Sequence, residues 1–326
     1  MSKTRMLPSL RPASVLASAF VFTLAANVCP AQTPEPPTAP TADKIEIRKD
    51  LPYASPENPR QKLDLYLPSP RATAKLPIVV FIHGGGWKAG NKASGAANLS
   101  RLVLSRQYIG VSIAYRLTDE VRWPAQLHDC KAAIRWIKEH AAEFGGDPQR
   151  IGVWGISAGA HLASLLGTTG DAPEWEGEIG SAPRQTSKIQ CVINFYGPQN
   201  FITMVQQESA VDRTTKNYPE ALLLGGRVQD LPEVAKAASP ITYVSKGDAP
   251  FLSAHGTKDP LVPLSQAREL DAALRRAGVE SVLIEMQEAG HGFRSAELDS
   301  RIDLFLGKHL HQKAAEIPAA PIAKGQ

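Results

Sequence analysis

The sequence predicts a doubly wound α/β fold: a mostly parallel central sheet, helices on both faces and a small lid. Three observations predict it. Short apolar, β-branched runs alternate with helical stripes along the chain, the pattern of strands buried on both faces. The residues able to carry chemistry fall just after those runs, where open parallel sheets gather their working groups. The 326 residues are 43% hydrophobic and 21% charged, which suits a large core and excludes a disordered, collagenous or coiled-coil chain.

The candidate parallel strands are Ile78 to Ile82, Tyr108 to Ile113, Ile151 to Trp154, Cys191 to Phe195, Phe251 to Ala254 and Ser281 to Ile284. Between them Cys130, Ala133, Ile134, Ile137 and Ala141 form the stripe of a helix lying on a sheet. Leu270, Ala273, Leu274 and Ala277 form another, stopped by Gly278, and Leu298, Ile302, Phe305 and Leu306 a last one. Residues 1–31 read as a signal peptide: Lys3, Arg5 and Arg11 precede an apolar stretch from Ala13 to Val28, and small residues flank a cut after Ala31. That stretch is too short and too polar for a bilayer span, so the mature form is expected to be secreted or periplasmic, without a membrane span. Residues 32–43 are expected to form a Pro/Thr-rich linker, 44–311 the folded domain, and the Ala/Pro-rich 312–326 a flexible tail. Cys130 and Cys191 could form a disulfide in an oxidising compartment or remain buried free thiols.

A net charge of +4, smaller still once the basic leader is removed, gives no electrostatic reason to bind nucleic acid. No P-loop, G-x-G-x-x-G or His-Glu-x-x-His occurs, so phosphate, dinucleotide and zinc chemistry lack a motif, and no metal or cofactor is expected. The run Ile151-Gly152-Val153-Trp154 instead leads into Gly155-Ile156-Ser157-Ala158-Gly159 and then a helical stretch from His161. A strand, a sharp turn and a helix around G-x-S-x-G lift a serine above the sheet as a nucleophile. A serine hydroxyl needs a base, and the base needs a carboxylate to orient it. Asp259 follows one late strand and His291, between Gly290 and Gly292, follows the next. Asp248, the nearest rival acid, precedes its strand and belongs at the opposite sheet edge. The order Ser157, Asp259, His291 is that of the α/β-hydrolase fold. Attack on a carbonyl creates an oxyanion, and His83-Gly84-Gly85-Gly86-Trp87 follows an earlier strand. Its Gly84 and Gly85 amides, with that of Ala158, are the candidate oxyanion hole. His83 is expected to brace this loop. Trp87 and Trp123 each neighbour a loop on the catalytic side and are the candidate substrate-binding walls.

These stretches, with Leu63-Asp64-Leu65-Tyr66-Leu67-Pro68, Ser112-Ile113-Ala114-Tyr115-Arg116-Leu117 and Pro124 to Trp136, resemble the bifunctional acetyl-xylan and feruloyl esterase-like family. The chain is also similar to the hormone-sensitive-lipase-like esterases. The resemblance spans nearly all of 44–311 and implies a serine esterase acting on a small-molecule or polysaccharide-linked ester, by way of an acyl-enzyme. An arylformamidase-like amidase and a non-catalytic hydrolase-fold binding protein are the alternatives. Ile156 and Ala160 depart from the family pattern and are expected to narrow the pocket floor. Arg116 with Asp129, and His128 and His161, are expected to be structural. Asp171 to Ile189 and Pro198 to Val244 are the insertions long enough to shape a lid.

Overall fold

Each apolar run singled out above is a strand, and two more precede them. A computed structural model describes residues 44–182 and 184–323, so the signal peptide and linker expected over 1–43 lie outside the described residues. The strands are β1 (Lys44–Pro52), β2 (Lys62–Ser69), β3 (Leu76–Ile82), β4 (Ile109–Ile113), β5 (Gly146–Ile156), β6 (Cys191–Phe195), β7 (Phe251–Gly256) and β8 (Ser281–Met286). They form one sheet in the order β1-β2-β4-β3-β5-β6-β7-β8. From β4 to β8 every pairing is parallel, and only β1 with β2 and β2 with β4 run antiparallel. The antiparallel pair went unpredicted although Leu63, Leu65 and Leu67 alternate with polar or amphipathic neighbours. Those leucines are buried, whereas β1 carries Lys44, Glu46, Arg48 and Lys49 along an exposed edge that discourages pairing with another chain.

The helices are α1 (Gly95–Leu104), α2 (Ala125–His140), α3 (Ala158–Thr168), α4 (Phe201–Met204), α5 (Pro219–Leu224), α6 (Pro232–Ala237), α7 (Ser265–Arg276) and α8 (Ala296–His311). Strand alternation sorts the core into two layers. Ile78, Val80 and Ile82 of β3 join Ile134 and Ile137 of α2, Leu162 of α3 and Leu270 of α7 on one face. Val79 and Phe81 join Leu99 and Val103 of α1 with Ile302 and Phe305 of α8 on the other. The chain leaves β3 for α1 on one face and β5 for α3 on the opposite face. The carboxyl ends of these adjacent strands therefore flank a topological switch point, the place where such sheets open a crevice.

Of the two readings left open for the thiols, the structure takes the free one: Cys130 and Cys191 are both free and buried, and they lie in the two different core layers, so the sheet separates them. One expectation is overturned. The tail does not fray over 312–323. Ile322 is 1% exposed and Ile317 8%, and Ile322 pairs with Met286 beyond the edge strand β8. The Gln287 N–H donates to the Ile322 carbonyl at 2.9 Å and the Ile322 N–H to the Glu285 carbonyl at 3.0 Å. Arg301 Nη1 adds a bond to the Pro318 carbonyl at 3.0 Å. Two isoleucines in an Ala/Pro-rich segment, with these bonds, anchor it.

Candidate active site

The turn between β5 and α3 begins with glycine because nothing else fits. A Cβ on Gly155 would overlap the Gly159 carbonyl, and one on Gly159 would overlap the carbonyls of Ile82 and His83. Between them Ser157 takes φ 52°, ψ −122°, a left-handed strain for a non-glycine residue that presents its hydroxyl at the sheet edge. The turn is pinned by the Ser157 N–H donating to the Phe195 carbonyl at 2.9 Å.

His291, carried on the loop after β8, places Nε2 2.9 Å from Ser157 Oγ. Its Nδ1 lies 2.8 Å from Asp259 Oδ2, on the loop after β7. Asp259 Oδ1 accepts the N–H groups of Leu261 at 2.9 Å and Val262 at 3.0 Å. Burial raises the Asp259 carboxyl pKa, but hydrogen bonds from His255 and His291, the His291 charge and the Val262 N–H outweigh it and hold the group well below the usual carboxylate range. The structure thus brings Ser157, Asp259 and His291 into one hydrogen-bonded line. Asp248 is bonded to Ser245 in the loop before β7, away from this line.

The glycine loop after β3 lies against the serine. A Cβ on Gly84 would sit 3.0 Å from the Ile156 carbonyl and 3.2 Å from Ser157 Cβ. Gly85, Gly86 and Trp87 follow with φ of 115°, 59° and 56°. Among the described residues no backbone group accepts from the N–H of Gly84, Gly85 or Ala158, and Ala158 opens α3, where the helix dipole adds positive potential. His83 braces the loop: its Nδ1 lies 2.7 Å from the Gly84 carbonyl, its ring stacks on Tyr115 at 4.3 Å, and burial pushes its pKa down to about 4.

A cavity of about 670 Å³ opens over this assembly, lined by Gly84, Gly85, Ser157, Ala158 and His291 together with Trp87 and Ile156. Trp87 is only 1% exposed and packs edge-on against His161 at 5.1 Å and Phe201 at 5.7 Å. Several expectations fail. Trp123 is not part of the wall; it packs against Trp175 at 5.6 Å and edge-on against His161 at 6.3 Å. Ala160 is fully buried against Gly197 and cannot shape the floor, whereas Ile156 does. The segment from Asp171 to Ile189 is no lid: Glu176 bonds Lys131 and Arg135 of α2 at 3.2 and 2.7 Å, clamping it to the flank. The cover comes instead from Pro198, Val211, Arg213, Pro219 and Glu220. The structural assignments hold. Arg116 Nε bonds Asp129 Oδ2 at 2.9 Å, and His161 Nε2 bonds the Ala238 carbonyl at 2.7 Å, its pKa pushed down to about 4 by burial.

Three residues escaped sequence reasoning. His255 Nε2 lies 3.3 Å from Asp259 Oδ2 and 2.9 Å from the Val262 carbonyl; its position four residues before the acid was the available signal. Arg213 and Glu220, buried in the cavity wall, gave none. The arrangement as a whole can activate a hydroxyl, hold an imidazolium and bind a developing oxyanion.

Known proteins share this architecture. The BD-FAE family profile matches residues 63–274. The esterase LipC of Mycobacterium tuberculosis is 32% identical over 269 residues, covering 80% of this chain and 65% of LipC. The chain thus spans less than two thirds of that curated relative, and 61% of the related esterase LipQ. A truncated carbohydrate esterase from gut microbiota superposes with a TM-score of 0.76 at 30% identity, covering 84% of this chain and 99% of the other. The acetyl ester-xyloside bifunctional hydrolase of Caldicellulosiruptor lactoaceticus superposes with a TM-score of 0.62 at 25% identity, covering 81% and 89%.

Proposed function

Because the chain belongs to the BD-FAE family of α/β-hydrolase esterases, we propose that it hydrolyses short-chain acyl or aryl esters by a serine acyl-enzyme mechanism, with acetyl or feruloyl groups on plant polysaccharide as the natural targets. The observation that carries the reading is the line from Ser157 Oγ through His291 to Asp259, 2.9 and 2.8 Å long, on the floor of a cavity beside free glycine amides. His291 takes the Ser157 proton as the hydroxyl attacks the ester carbonyl. The amides of Gly84, Gly85 and Ala158 receive the oxyanion, a service worth about 10²–10³ in rate for each donor in comparable sites. His291 then protonates the departing alcohol, and the same groups, with water as nucleophile, release the acid. Asp259 keeps Nδ1 of His291 protonated so that Nε2 faces the serine. The polysaccharide part of the proposal draws on the carbohydrate esterase and acetyl ester-xyloside hydrolase among the structural relatives. Residues 1–31 are proposed to direct export, which a mature N-terminus at Gln32 in mass spectra would support.

The test is hydrolysis of p-nitrophenyl esters from acetate to palmitate, with acetylated xylan and methyl ferulate alongside, by the native protein and Ser157→Ala. The expected result is serine-dependent turnover, with Ser157→Ala lowering kcat by on the order of 10⁶. Turnover that survives in the alanine variant would reject the nucleophile, and silence on every ester would reject the activity.

A further inference from the structure

The cavity wall is largely apolar where it meets the cover, at Ile156, Pro198, Val211, Pro219 and Val262, yet it contains one pair of opposite charges. Arg213 is 7% exposed and Glu220 4%. Arg213 Nη1 donates to Ser209 Oγ at 2.7 Å and Nη2 to the Leu261 carbonyl at 3.2 Å, so the guanidinium is moored to the loop that follows β7. The pair itself is poorly closed. Nη2 lies 3.5 Å from Glu220 Oε1, beyond the roughly 2.7–2.9 Å of a tight charge-assisted bond. Among the described residues Arg213 Nε and Glu220 Oε2 have no partner. A buried ion pair of this quality is less favourable than apolar residues of the same volume, and unpartnered buried polar atoms add to the penalty. Both residues sit in the 198–244 cover and not in the sheet or its flanking helices, so the scaffold does not call for them.

We infer that Arg213 and Glu220 form a polar station that recognises the hydroxyl groups of a neutral sugar carrying the scissile ester. The chemistry selects this class. An anionic group would meet the Glu220 carboxylate and a cationic one the Arg213 guanidinium, whereas the charges of the pair cancel toward a neutral ligand. A hydroxyl both accepts from a guanidinium N–H and donates to a carboxylate, and neighbouring hydroxyls on a sugar ring offer both functions to the loose Nη2 to Oε1 contact. A plain alkyl or alicyclic alcohol satisfies neither side chain, and sites built to bond a substrate hydroxyl discriminate strongly against analogues that lack it. The inference rests on the esterase reading and adds to it the residues that set alcohol-side preference.

The experiment compares kcat/KM for mono-acetylated methyl β-xyloside, cyclohexyl acetate and an acetylated methyl glucuronoside. The proteins are the native enzyme, Arg213→Met, Glu220→Gln and the double variant. The expected result is a native preference for the neutral sugar ester over the cyclohexyl ester. That ratio should fall at least tenfold in each single variant, with little further loss in the double variant because the pair acts as a unit. A ratio kept within twofold in both single variants would overturn the station, even if both rates fell, since that pattern marks packing alone. Faster native turnover of the acidic sugar would overturn its neutrality. If the native enzyme cleaves none of these esters, the esterase reading fails separately, and saturation-transfer NMR of methyl β-xyloside on Ser157→Ala decides the station by itself. Binding lost on adding Arg213→Met supports it, and binding absent or unchanged overturns it.

Discussion

Asp259 accepts from His291 Nδ1 at one oxygen and from two backbone N–H groups at the other, with His255 Nε2 3.3 Å from the first. Its lowered pKa keeps it ionised throughout the working range of an imidazole base, so it fixes one tautomer of His291. Asp259→Asn would present a donor where an acceptor is needed, and kcat on p-nitrophenyl acetate should fall about 10⁴-fold with the fold intact; a fall under tenfold would show that another acid serves. Histidine burial supplies a second prediction. His83 and His161 are pushed from 6.5 down to about 4, so the unfolded chain binds more protons than the folded one between those values. Their contribution is complete above pH 6.5 and is lost as pH falls toward 4, by up to about 3 kcal/mol each. The urea midpoint should decline over that window, and His161→Gln, which can still donate to the Ala238 carbonyl, should flatten the decline. An unchanged slope would reject the assignment. Ser157, Asp259 and His291 were legible because each follows an apolar run in a diagnostic order. His255 was hidden inside its strand, and Arg213 and Glu220 lie in a segment whose path no periodicity reveals.

Elements announced themselves in the sequence in proportion to how fully they are buried. Strands β3 to β8 are buried along most of their length and each contains a short apolar run. The β1–β2 pair is half exposed and charged, so its alternation was weaker evidence. The flank from Asp171 to Ile189 and the C-terminal segment carry few large apolar residues, and composition could not show that Glu176 would find Lys131 and Arg135 or that Ile317 and Ile322 would dock. That docking is testable. Ending the chain at His311 removes two buried isoleucines and the backbone bonds to Glu285 and Gln287. Burial of two such side chains is worth roughly 3–6 kcal/mol as an upper bound, so the shortened chain should unfold several degrees lower in a thermal scan. An identical Tm would show the segment to be a passive passenger.

At the scale of the whole molecule, substrate size follows from how little covers the switch point. The cover is the 198–244 segment with its short helices α4, α5 and α6, and the space beneath it is about 670 Å³, within the ordinary range for one small ligand. A short acyl group or a single aromatic ring with its alcohol fits within that volume, whereas an extended long alkyl chain is longer than so compact a space is wide. Lipases acting at an oil surface need a broad apolar face around the mouth. Here the exposed large hydrophobic residues among those described are Ile47, Leu104, Leu261 and Leu304, and of these Leu261 alone lines the cavity. The proposed esterase should therefore give its highest kcat/KM on p-nitrophenyl acetate to butyrate and fall at least a hundredfold by palmitate. Its rate should also pass through the micelle-forming concentration of a longer ester without a jump. Sustained turnover of palmitate, or a jump at that concentration, would mean that the 198–244 cover swings away to expose a larger apolar floor than the closed cavity contains.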